Sequence, residues 1–73
     1  FLKANDYGGL VYVFQRLVEL QPNNPQHHAF LAMAYARTGR IDEAVEQARA
    51  AVRLDPSFEA EARAFARQLG REL

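Results

Sequence analysis

"GGLVYVF", residues 8–14, is the stretch on which the reading of this chain turns. Gly8 and Gly9 followed by Leu10, Val11, Tyr12, Val13 and Phe14 have the composition of a buried β-strand. The next residues, Gln15-Arg16-Leu17-Val18-Glu19-Leu20, are spaced like one face of a helix. A strand here would lie alone, because nothing else in the chain alternates with period two and could pair with it. The stretch is therefore read as the start of a helix. Its dense apolar content has a simple cause: a helix flanked on two sides must bury two faces. The two glycines are an unusual opening, each costing roughly 0.5–1 kcal/mol against alanine.

Beyond that helix the punctuation is regular. Asn24 is placed to cap a helix with Pro25 at its first position, where the missing N–H costs nothing. Ala29, Leu31, Ala32, Tyr35 and Ala36 recur at helical spacing, and Gly39 supplies a left-handed end. A further helix starts near Ile41, with Asp42 and Glu43 opposing the positive end of its dipole. Its apolar face is Ala44, Val45, Ala48, Ala51, Val52 and Leu54, and Pro56 closes it. Ser57 is the expected cap of a last helix carrying Ala62, Phe65, Ala66 and Leu69. Helices are expected near 6–20, 25–38, 41–54 and 57–70, with a frayed remnant at 1–4.

The composition agrees with a small helical domain. Seventy-three residues, 49% hydrophobic, make one globular unit near the size where a single core only just suffices. Nine basic residues balance nine acidic ones, so no broad attraction to nucleic acid or an anionic membrane is expected. The longest apolar run, residues 29–36, is eight residues, far below the roughly eighteen that span a bilayer. There is no cysteine, which leaves the compartment open. The chain opens on Phe1-Leu2-Lys3 and reads as a fragment of a longer protein.

Sliding the chain against itself by 34 positions places Pro22 on Pro56, Leu20 on Leu54, Val18 on Val52, Val11 on Val45 and Asn5 on Gly39. A period of that length in paired helices signals a helical repeat array. Within it, His28-x-x-Leu31-Ala32-x-x-Tyr35 stands where the tetratricopeptide repeats have Trp-x-x-Leu-Gly-x-x-Tyr. Ala44, Ala48, Ala51 and Pro56 fall on that family's later positions, and Gly39-Arg40-Ile41-Asp42-Glu43-Ala44 is typical of it. The chain thus resembles the tetratricopeptide repeats: residues 25–58 as one complete repeat, 1–24 as the back part of a preceding one, and 59–73 as a capping helix. Three departures stand out. His28 replaces the large aromatic, Ala48 replaces the usual Phe or Tyr, and Leu10 stands where a small residue is expected.

The resemblance implies an all-α fold, antiparallel helix-turn-helix pairs stacked as a right-handed α-solenoid. It also implies a concave groove, lined here by Gln26, Ala29, Met33, Ala36 and Arg37, and by Arg63 and Arg67 of the last helix. In family members that grip a terminal carboxylate, basic residues stand where Arg63 and Arg67 stand; the Asn residues of their earlier repeats are replaced by Ala29 and Met33. Arg63, Arg67 and Arg71 are spaced i, i+4, i+8, which fits either a solvated face or a binding stripe.

Other chemistry is not indicated. His27 and His28 are adjacent, point about 100° apart on a helix and lack an acidic or His partner four residues on, so no metal site is expected. No nucleophile–base pair or phosphate loop is present, and Ser57 and Thr38 are better used at helix ends. The expected function is non-catalytic protein–protein interaction, without cofactor or metal. The partner is a protein or peptide, acidic or with a free C-terminus, with no nucleic acid and no membrane insertion. The alternative is an oligomerisation or spacer module of a larger enzyme or membrane protein. With little of its own repeat preceding it, the first helix should leave some of Tyr7, Leu10, Val11, Val13, Phe14 and Leu17 uncovered. A homodimer through residues 1–20 is the expected remedy.

Overall fold

A computed structural model describes residues 7–73, with side chains from Gly8 onward. The remnant expected at 1–4, the residue before Tyr7 and the Tyr7 side chain lie outside the described residues. The chain forms α1 (Tyr7–Leu20), α2 (Pro25–Arg37), α3 (Ile41–Leu54), a single 3-10 turn (Pro56–Phe58) and α4 (Glu59–Gln68). Gly8 to Phe14 are helical throughout.

The turns are built as their residues dictate. Asn24 Oδ1 accepts from the Gln26 N–H at 3.0 Å, and Pro25 occupies the first helical position. Gly39 has φ +83°, and the bonds Arg40 N–H to Tyr35 C=O and Gly39 N–H to Ala36 C=O complete a Schellman end. Gly70, at φ +76°, closes α4 in the same way through Arg71 N–H to Ala66 C=O and Gly70 N–H to Arg67 C=O. The last helix differs from expectation at its start. Asp55, not Ser57, is the cap: its Oδ1 accepts from both the N–H and the hydroxyl of Ser57. The chain after Pro56 makes one 3-10 turn before the α-helix begins at Glu59.

Successive helices fold back on one another across short turns. α2 is the centre: α1 packs on one side of it and α3 on the other, while α4 leans on α3. The molecule measures 33 × 27 × 16 Å, and its thickness is under two helix diameters. So shallow a body has little depth, and its most enclosed positions are mainly alanines. One core cluster joins Val11, Leu31, Ala34, Tyr35 and Ala44; a second joins Ala32, Ala48 and Ala62, and Phe65 packs against both. Gln15 donates to the Tyr35 hydroxyl at 2.8 Å, tying α1 to α2, and the Arg40 guanidinium lies 5.7 Å from the centre of the Tyr35 ring.

Buried His28 takes the aromatic place by a polar route. Its Nε2 lies 2.8 Å from the Pro22 carbonyl, and its Nδ1 is 2.7 Å from Oε1 of Gln47. Through these two contacts the ring bridges the α1–α2 turn to α3. His27 is half-buried, with Nε2 3.5 Å from Asn24 Nδ2.

Candidate functional site

On α2, Ala29 and Met33 are one turn apart and share a face, with Phe30 beside them. Met33 is 50% exposed, and the Phe30 ring stands 5.5 Å from that of Phe14 on α1. Opposite them, Phe58 at the end of the 3-10 turn and Glu61, Ala62 and Phe65 of α4 follow one another at three, four and seven residues, so they form one stripe. The two walls do not close. Ala32, Ala48 and Ala51 form the floor between them, and a half-open hollow of about 280 Å³ remains. Its cause is volume: five of its lining side chains are alanines, and Ala48 occupies the place of a family aromatic. Glu61 is the one ionisable residue of the lining.

A second hollow of about 290 Å³ lies at Arg63 and Arg67, on another stripe of α4, and at Arg71, Glu72 and Leu73 beyond the end of that helix. Its three guanidinium groups are not equivalent. Arg63 is held by Glu59, whose Oε2 accepts from Nε at 3.1 Å and Nη2 at 2.7 Å. Arg71 donates to Asp42 on α3 at 3.2 Å. The Arg67 guanidinium has no hydrogen bond or ion pair among the described residues.

The residues expected in one groove are therefore distributed. Ala29 and Met33 line the apolar hollow, whereas Arg63 and Arg67 line the basic one. Ala36 is half-buried against the main core cluster, and Gln26 and Arg37 are exposed outside both hollows. Phe30, Phe58 and Glu61 lie outside the expected set; the three-four-seven spacing of Phe58, Glu61, Ala62 and Phe65 is the signal in the sequence for the latter two, and Phe30 has none.

The first helix also redistributes its residues. Val11, counted with the uncovered face, is buried at 7% exposure against α2. Leu10 and Phe14 pack on the same cluster, and Leu17 is half-buried. Of the expected set with described side chains, only Val13 is exposed, at 43%, alongside Tyr12 at 66% and Leu20 at 70%. Tyr12, Arg16 and Leu20 run i, i+4, i+8 up the outer face, interrupted by the Arg16–Glu19 pair at 3.3 Å.

The Ser57 and Thr38 hydroxyls serve the fold. The Ser57 hydroxyl donates to Asp55, and that of Thr38 donates to the carbonyls of Ala34 and Tyr35. Among the described residues no group of three or more His, Asp or Glu side chains is placed to hold a metal ion. Among them, too, no helix is long and apolar enough to cross a membrane.

Antiparallel helices at a 34-residue period, with a hollow between the first helix of one pair and the helix that follows it, define an α-helical repeat array. The model of the tetratricopeptide repeat matches residues 1–69, and the chain belongs to that family. Domains of this family generally mediate protein–protein interaction and are generally non-catalytic scaffolds. The chain is 33% identical over 57 residues to small glutamine-rich tetratricopeptide repeat-containing protein 2 of Mycosarcoma maydis, covering 78% of this chain and 16% of that one. It is 37% identical over 56 residues to the TPR repeat-containing thioredoxin TTL4 of Arabidopsis thaliana, covering 77% and 8% respectively. The chain thus spans a small part of the length of these curated relatives. No solved structure matches it.

Proposed function

We propose that this chain is a non-catalytic interaction module that takes a peptide or partner helix across the face shared by α2 and α4. The observation that carries the reading is the half-open apolar hollow with exposed Met33 on its wall; the basic hollow at Arg67 lies on another side of α4, within reach of a partner that wraps around that helix. A hollow of this kind offers burial for partner side chains, and an open guanidinium offers charge-assisted bonds to a carboxylate. The acidic or C-terminal group of the partner then sits at Arg67, since Arg63 is already engaged by Glu59. Selection from a random peptide library displayed on phage tests this. Selected peptides should lose at least tenfold in affinity on Met33→Glu, and acidic ones should lose affinity on Arg67→Ala and with rising salt. Selected peptides indifferent to all three changes contradict the proposal.

A second reading is favoured by the outer face of α1. Tyr12, Val13 and Leu20 leave apolar surface in water there, and a second copy packed on this helix covers it at the cost of one weak surface ion pair.

A further inference from the structure

The apolar hollow and its single charged residue say what kind of segment fits. A cavity of roughly 150 Å³ lined by aliphatic and aromatic groups takes a benzene-sized ring. The hollow between α2 and α4 holds about 280 Å³, room for a larger ring, and Phe58, Phe65 and Met33 present ring and thioether contacts to it. Its one ionisable lining residue is Glu61, exposed and with a carboxylate that makes no hydrogen bond or ion pair among the described residues. The neighbouring carboxylate, Glu59, differs, being engaged by Arg63.

We infer that the hollow is an anchoring site for one aromatic side chain of a partner segment that carries a lysine or arginine within one helical turn of it, the cation pairing with Glu61. This rests on the proposed interaction function and specifies its ligand. Charge complementarity decides between occupants, because an acidic neighbour would face an unpaired carboxylate at short range.

The test uses fluorescein-labelled twelve-residue peptides with a central tryptophan flanked by lysines, the same peptide with glutamates for the lysines, and one with alanine for the tryptophan. The chain should bind the tryptophan–lysine peptide at least tenfold more tightly than the alanine peptide and several-fold more tightly than the glutamate peptide. Glu61→Lys, an exposed change, should reverse the order of the lysine and glutamate peptides. Ala48→Phe, which restores the family aromatic and fills the floor, should raise the melting temperature and cost at least tenfold in affinity. An unreversed order on Glu61→Lys overturns the inference, as does unchanged affinity in a folded Ala48→Phe chain. If library-selected peptides bind on the α2–α4 face while ignoring both changes, this inference fails and the interaction function stands. If no peptide of any composition binds, both fail.

Discussion

Single residues set the chain's direction at the turns and its closeness at the contacts. Gly39 is needed for its backbone: an added Cβ meets nothing within 4 Å, yet φ of +83° belongs to the left-handed region. Gly39→Ala should therefore cost about 1 kcal/mol in urea unfolding, and Gly39→Asn less, because asparagine tolerates that conformation. Equal stability of Gly39→Ala and the parent would contradict the Schellman end. Alanines of the same register differ in what surrounds them. Ala44 is fully enclosed beneath α2, while Ala51, equally buried, borders the apolar hollow. Ala44→Leu should overpack by about 1–3 kcal/mol and lower the melting temperature by at least about 4 °C. Ala51→Leu has free volume to enter and should cost clearly less. These positions were legible through the family resemblance, which expects small residues there. The difference between them was not, since a register gives the facing partner and not the space left beside it. The same limit hid Asp55: Asp and Ser are both good caps, and the extra 3-10 turn after Pro56 chose between them.

At the scale of elements, α1 shows why a composition typical of a strand became a helix. Leu10, Val11, Phe14 and Val18 recur at the spacing that meets α2, and the repeat register supplies that neighbour. What the sequence could not apportion was the remainder of the face. An apolar surplus was evident, but the residues left outside are Tyr12, Val13 and Leu20, because α2 takes most of the residues first expected outside. If a second copy covers this face, the chain should sediment as a dimer at high micromolar concentration. Tyr12→Ser with Leu20→Ser should then yield a monomer with unchanged helical circular dichroism. A monomeric parent chain at that concentration contradicts self-association. On α4 the arginine stripe was visible as spacing, whereas its inequality arises from partners: Glu59 one turn earlier for Arg63, and Asp42 across on α3 for Arg71.

Across the whole molecule, the thin stack of helices explains both its economy and its openness. A slab 16 Å thick has little interior to fill with large side chains, so helices approach through alanines and the larger groups remain near the surfaces. Where small side chains face one another without close helix contact, between α2 and α4, a hollow persists. The sequence showed the family and the groove-lining face of α2 through Ala29 and Met33. It placed the arginines on the same groove because position within a repeat gives a face of a helix, and it does not give the width of the gap across which two faces meet. The central claim is that partners bind on the α2–α4 face. The most direct measurement is backbone-amide NMR of the isotopically labelled chain titrated with a library-selected peptide. The account predicts shifts concentrated at Ala29, Met33, Ala48, Glu61, Ala62 and Phe65, with Arg16, Glu19 and Arg53 unmoved. Shifts confined to α1 and the outer side of α3, with the α2–α4 face silent, would contradict it.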